Sequence, residues 1–112
     1  MDDRAFLDMY VFAGLHDLND GFDTPSISYF SREDFETVLE RVARLGLGVY
    51  GIEPWPNGEY ACCLTFEEYG DDPCDPAWYR RAFQDLLDHG VESHFAASYC
   101  VPNTTELSAM QP

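Results

Sequence analysis

The chain of 112 residues contains no lysine, and its basic side chains are six arginines and three histidines. Twenty-one acidic residues give it a net charge of −15 at pH 7. Because binding to nucleic acid and to anionic membranes rests on Lys and Arg side chains, we expect neither as a partner. A basic protein, or a protein whose groove normally holds nucleic acid, would instead be attracted to this chain.

Long apolar runs are also missing. No stretch approaches the roughly 20 apolar residues of a membrane-spanning helix. The acidic start, Met1-Asp2-Asp3-Arg4, is not followed by the apolar segment of a signal peptide. We therefore expect a cytoplasmic protein in which the four cysteines are reduced thiols.

The residue patterns of common enzymes and metal sites are absent from the sequence. Cys62 and Cys63 are neighbours and cannot form the Cys-x-x-Cys pair of a zinc or redox site. The histidines lack ligand spacing, no glycine-rich loop opens a helix, and residues 17–23 fail the EF-hand register. We predict a protein that is not an enzyme and has no cofactor or metal. A small enzyme that uses Cys62 or Cys63 with His94, or a pair of carboxylates, is an alternative.

Composition predicts one folded domain over residues 1–112. Hydrophobic residues make up 46% of the chain and aromatic residues 15%, which is enough for a core at this length. Residues 1–26 are predicted to be an irregular N-terminal extension, with an apolar segment at 6–15 that fits either a short helix or a strand. Residues 102–112 are polar and predict a loose tail.

Two helices are predicted by capping residues and apolar spacing. The first begins at Ser31 and ends before Gly46, and the second begins at Asp75-Pro76 and ends before Gly90. Their apolar residues recur at helical spacing: Phe35, Val38, Leu39, Val42 and Leu45 in the first, and Trp78, Ala82, Phe83, Leu86 and Leu87 in the second.

Four strands complete the predicted fold. Residues 27–30 are β-prone, an Asn-Gly turn joins 47–53 to 59–66 as a hairpin, and 91–101 alternate as a last strand. The order β-α-β-β-α-β predicts an α+β fold, with two helices packed on one face of a mostly antiparallel four-stranded sheet. This succession is typical of the split β-α-β arrangement.

An acidic stretch between the hairpin and the second helix is the strongest candidate site. Residues 67–75 hold five carboxylates within nine positions, with a tyrosine among them. Aromatic anchors within a charged rim are typical of binding interfaces, and carboxylates steer a basic groove toward them. The alternative is a solvated loop whose Asp75 only caps a helix. The predicted partner-binding residues in this stretch are Glu67, Glu68, Tyr69, Asp71 and Asp72.

Two other places supply candidate binding residues. Trp55 stands between two prolines at the hairpin tip, where it is either a rigid binding anchor or a side chain folded back over the sheet edge. The second acidic segment, 17–23, adds Asp17 and Asp20 as binding carboxylates.

The central part of the chain resembles small immunity proteins of bacterial polymorphic-toxin systems. Residues 35–45 match the helix of those proteins, Gly48-Val49-Tyr50-Gly51-Ile52-Glu53 the glycine-bearing "V-Y" strand, and Asn57-Gly58-Glu59-Tyr60 the turn. Trp78-Tyr79 complete the resemblance, which covers residues 27–90. The resemblance implies an acidic cytoplasmic protein that covers the active site of a toxin, and it carries over no catalytic residue.

The sequence is compatible with three functions. The first is a toxin-neutralising immunity protein that blocks a basic active site, with a toxin domain as its partner. The second is a nucleic-acid mimic that inhibits a DNA- or RNA-binding protein, which would require its acids to lie on one face. The third is the small enzyme described above. A further alternative is an adaptor whose partner is unknown. The aromatic content is also compatible with a homodimer.

Overall fold

A computed structural model describes residues 2–21, 23–56, 59 and 61–101. Within them the chain forms α-helices, one turn of 3-10 helix and a four-stranded sheet. The elements in chain order are α1 (Asp3–Tyr10), β1 (Phe30–Ser31), α2 (Arg32–Arg44), β2 (Gly48–Pro54), β3 (Leu64–Thr65), the 3-10 helix (Phe66–Glu68), α3 (Pro76–Asp88) and β4 (Ser93–Cys100).

Both predicted helices, α2 and α3, are confirmed together with their caps. The Ser31 hydroxyl accepts a backbone N–H of the first turn of α2 at 3.2 Å, and the Asp75 carboxylate does the same for α3 at 2.9 Å. Gly46 and Gly90 follow the helix ends with φ of +73° and +87°. This left-handed conformation is the one that favours glycine after a helix.

The sheet has the order β1-β4-β2-β3, and every neighbouring pair is antiparallel. Since β4 lies between β1 and β2, the strands that flank α2 run parallel to each other without touching. This is the split β-α-β arrangement. The predicted α+β class is confirmed.

Strand β2 has the predicted length of seven residues, whereas β1, β3 and β4 are shorter than the sequence predicts, and the second arm of the hairpin is reduced to β3. The Thr65 N–H donates to the Glu68 carboxylate at 3.3 Å, which starts the 3-10 helix and ends the strand. A strand through residue 66 is therefore wrong. Asn57, Gly58 and Tyr60 lie outside the described residues, as does the predicted tail 102–112.

Helix α1 occupies part of the predicted irregular extension. Asp2 caps it by accepting the Ala5 N–H at 2.8 Å, and Arg4 and Asp8 form an ion pair at 3.1 Å one turn apart. Apolar residues of this segment are buried in the core. Of the two alternatives for the apolar segment at 6–15, the structure has the short helix, which begins at Asp3 and is stabilised by burial of its apolar face.

The core lies between the sheet and helices α2 and α3, and an aromatic trio marks its centre. Phe95 of β4 stacks on Phe35 of α2 with ring centroids 5.5 Å apart, and it meets Phe83 of α3 edge-on at 5.0 Å. Phe35 also meets Phe83 edge-on at 5.3 Å. The two helices therefore share one face of the sheet.

Candidate functional site

The acidic loop, residues 67–75, is fastened to the sheet and to α3 at Pro73. The Pro73 carbonyl accepts the Val49 N–H of β2 at 2.9 Å and the Trp78 indole N–H of α3 at 3.2 Å. Trp78 is itself buried. One carbonyl thus fixes the loop to two elements of the core, so the loop is a structured part of the fold.

Tyr69 fixes the other half of the acidic loop. Its hydroxyl donates to the Asp85 carboxylate of α3 at 2.8 Å, and its ring lies 5.9 Å from that of Trp78. Burial, and then the hydrogen bond to Asp85, raise the pKa of Tyr69 to about 12. Arg81 pairs with the same carboxylate at 3.4 Å. The sequence does not identify Asp85 as a residue that supports the acidic loop. Its spacing of four from Arg81 predicts only the ion pair between those two residues on a helix.

The carboxylates of the acidic loop face solvent without basic partners. Glu67 and Asp71 are exposed and have no hydrogen bond or ion pair among the described residues. Glu68 and Asp72 are also exposed, and each accepts one local backbone N–H, from Thr65 and from Cys74. The ion pairs in the described part of the chain, Arg4–Asp8 and Arg81–Asp85, leave the acidic loop uncompensated.

A hollow of about 390 Å³ opens beside the acidic loop. Glu68 and Asp75 line it with negative charge, and Tyr69 gives it an aromatic wall. Arg81 also reaches the hollow, but its charge is paired with Asp85. Two carboxylates beside an aromatic ring suit the guanidinium or ammonium group of an incoming Arg or Lys side chain.

Asp17 lies apart from the acidic loop, and its side chain is hydrogen-bonded to the backbone of its own segment and of β1's approach. Its carboxylate oxygen accepts two backbone N–H groups at 2.9 Å each, from Asn19 and from Tyr29. These bonds hold the two ends of the loop that leads into β1 together. Asp20 is exposed, and no contact of its side chain is found among the described residues.

Trp55 follows β2 at the end opposite the acidic loop. It is half-buried, its ring meets Tyr29 edge-on at 5.6 Å, and its indole N–H donates to Glu53 at 3.4 Å. Strand β2 spans seven residues, or roughly 20 Å, between this tryptophan and the contact of the acidic loop with the strand's start. The candidate residues therefore fall into two groups: the acidic loop, and the cluster of Asp17, Tyr29 and Trp55.

Tyr29 and Asp23 make the second group sensitive to acid. The buried Tyr29 hydroxyl donates to the Asp23 carboxylate. This bond, followed by a backbone bond from Thr24, lowers the pKa of Asp23 from its ordinary 3.8. A carboxyl with a lowered folded-state pKa stabilises the fold at pH values above its ordinary pKa, and the stabilisation is lost as the pH falls through the folded value.

We therefore expect the Tyr29→Phe variant to unfold at lower urea than the parent at pH 7, and the difference to shrink as the pH falls toward 3. The reason is that acid protonates Asp23 in the parent and weakens the bond that the variant never has. Urea unfolding followed by tryptophan fluorescence at several pH values measures this. A difference that stays constant down to pH 3 would show that the Asp23–Tyr29 bond does not titrate.

Cys62, one of the thiols named for the alternative enzyme, lies beside a different histidine. Cys62 lines an apolar hollow of about 380 Å³ together with His89, whereas His94 does not line it. Burial, and then Glu68, raise the pKa of Cys62, which disfavours the reactive thiolate. Among the described residues, no group of three or more His, Cys, Asp or Glu side chains is placed to hold a metal ion.

No helix in the described part of the chain has the length and apolar character needed to cross a membrane. Comparison with protein-family models, with curated proteins and with solved structures found no match for this chain.

Proposed function

We propose that this protein binds a basic protein partner through the acidic loop, and that it acts as an immunity protein that covers the active site of a toxin. The observation that carries the proposal is a loop held rigidly by Pro73 and Tyr69 that presents carboxylates without basic partners. The proposed partner surface contains Glu67, Glu68, Asp71 and Asp72, with the hollow beside Tyr69 at its edge.

Rigidity favours this use of the acidic loop. Ordering a flexible segment on binding costs conformational entropy, whereas a loop already bonded to β2 and α3 avoids that cost. Uncompensated carboxylates also raise the rate of encounter with a basic surface. Tyr69 is half-buried and anchored, so it supports the surface, and it lines the hollow at the surface's edge.

The distribution of the remaining acids favours a protein-binding role over a nucleic-acid mimic. A mimic of DNA needs its charges arranged along one face at close spacing. Exposed carboxylates here lie on several elements: Asp3 and Asp8 on α1, Glu33, Glu36 and Glu40 on α2, Asp88 on α3, and Glu92 before β4.

The test is affinity capture from lysate of the source cells, with the parent chain and two variants as bait. The acidic-loop variant carries E67Q, E68Q, D71N and D72N, which remove four charges but keep the oxygens that accept backbone N–H groups. The matched control carries E36Q, E40Q, E59Q and E92Q at exposed positions whose side chains make no hydrogen bond or ion pair among the described residues.

We expect one stoichiometric basic protein with the parent and with the control, and its loss with the acidic-loop variant and at about 500 mM salt, where charges are screened within a few ångströms. Mass spectrometry of the eluate identifies it. Retention by the folded acidic-loop variant would overturn the assignment of the surface. Recovery of several DNA-binding proteins instead would favour the mimic.

A further inference from the structure

Two cysteines far apart in the sequence meet at the start of β2. Cys100, near the end of β4, pairs directly with Gly48 of β2, and Cys74 lies beside Pro73, whose carbonyl accepts the N–H of the next β2 residue, Val49. A Cβ atom on Gly48 would stand 3.0 Å from Cys74 Sγ and 3.0 Å from Cys100 Cβ. The Cys74 sulfur and the Cys100 Cβ are therefore separated by no more than twice that distance.

We propose that Cys74 and Cys100 form a redox-active dithiol that closes to a disulfide on reaction with a low-molecular-weight disulfide. Gly48 makes this geometry available because it places no side chain between the two residues. Closure is favoured because the backbone segments that carry the two cysteines are already bonded to the same strand.

The order of events follows from exposure. Cys74 is exposed and Cys100 is half-buried, so the Cys74 thiolate attacks one sulfur of the small disulfide and releases one thiolate. The Cys100 thiolate then attacks the Cys74 sulfur of the mixed disulfide and releases the second thiolate. Two protein thiols are oxidised to one disulfide, and one small disulfide is reduced to two small thiols.

The surroundings of the dithiol set its pH dependence. Partial desolvation of the thiol, followed by electrostatic interaction with Cys100 and Asp72 and a hydrogen bond to Cys100, raises the pKa of Cys74 although the residue as a whole is exposed. The thiolate is therefore scarce at neutral pH, and the rate of closure rises about 10-fold per pH unit below that pKa. The disulfide would join the acidic loop to β4, and so would constrain the segment that is proposed to bind a partner. Its formation does not depend on that proposed function.

The probe is oxidised glutathione, added to the reduced full-length chain at pH 7 and pH 8.5. Trypsin cuts this lysine-free chain only after arginine, so a crosslink appears as peptide 45–80 joined to peptide 82–112. We expect the crosslink in the parent and in the C62S/C63S control, and its loss in C74S and in C100S. In C62S/C63S, oxidation should raise the melting temperature by about 5–10 °C, because the unfolded chain is constrained.

A fourth variant tests whether closure depends on the absence of a side chain at residue 48. Gly48→Ala keeps all thiols but places a methyl group 3.0 Å from the Cys74 sulfur, so we expect closure at least about 10-fold slower than in the parent. Crosslinking through Cys62 or Cys63, or accumulation of the glutathione mixed disulfide at Cys74 without closure in C62S/C63S, would overturn the proposal even if the Gly48 variant fails to fold.

Discussion

Replacing Phe95 by alanine is expected to lower the free energy of unfolding by about 3–5 kcal/mol. Phe95 has no exposed surface and lies on a central strand of the sheet. It stacks on Phe35 and meets Phe83 edge-on, so its removal leaves a cavity where both helices join the sheet. Since domains of this size are stable by about 5–15 kcal/mol, the loss is a large share of the total.

Urea unfolding followed by circular dichroism measures this effect. Met9→Ala is the control, because Met9 is 54% exposed and its truncation should change the free energy of unfolding by less than about 0.5 kcal/mol. A loss below about 1 kcal/mol for the Phe95 variant would contradict the packing described above, whereas a chain that no longer folds would agree with it.

Replacing Arg41 by methionine is expected to cost about 1.5–3 kcal/mol and to loosen the segment after α1. The Arg41 guanidinium of α2 donates to the carbonyls of Val11 and Ala13 at 2.9 and 2.7 Å. Methionine keeps much of the aliphatic stem but removes both charged donors. The carbonyl of Val11, whose side chain is buried in the core, would then lose a charge-assisted hydrogen bond.

Arg44→Met is the matched control for this prediction. Arg44 lies in the same last turn of α2, is exposed, and its side chain makes no hydrogen bond or ion pair among the described residues, so its replacement should cost less than about 1 kcal/mol. Hydrogen exchange should also speed up at residues 11–15 in the Arg41 variant only. Equal effects of the two replacements would show that Arg41 acts through charge at the helix end alone.

Local signals explain which parts of the fold were predictable. Helices α2 and α3 have side-chain caps, apolar spacing and terminal glycines that all agree, so their ends could be read from sequence. Strands β1 and β3 are two residues long each, too short for an alternating pattern to define them. Helix α1 is eight residues long and depends on burial against the core, which periodicity alone does not show.

The candidate site was predictable in composition but not in arrangement. The density of carboxylates in residues 67–75 is visible in the sequence, whereas the bonds that hold the loop, from Tyr69 to Asp85 and from Trp78 to Pro73, are tertiary. Asp17, like Asp71, lies in an acidic stretch of the sequence. Its carboxylate accepts two backbone N–H groups, however, and so has a structural role. The meeting of Cys74 with Cys100 depends on strand order and likewise has no local signal.

The measurement that tests the central claim most directly is the association rate constant of the captured basic partner with the immobilised protein, at about 50 mM and about 500 mM salt. If the acidic loop steers the partner, the parent rate falls at least about 10-fold at the higher salt. The variant with E67Q, E68Q, D71N and D72N is then similarly slow at both salt concentrations, while the control with E36Q, E40Q, E59Q and E92Q stays close to the parent. Equal rates for the parent and the acidic-loop variant at both concentrations would contradict the claim.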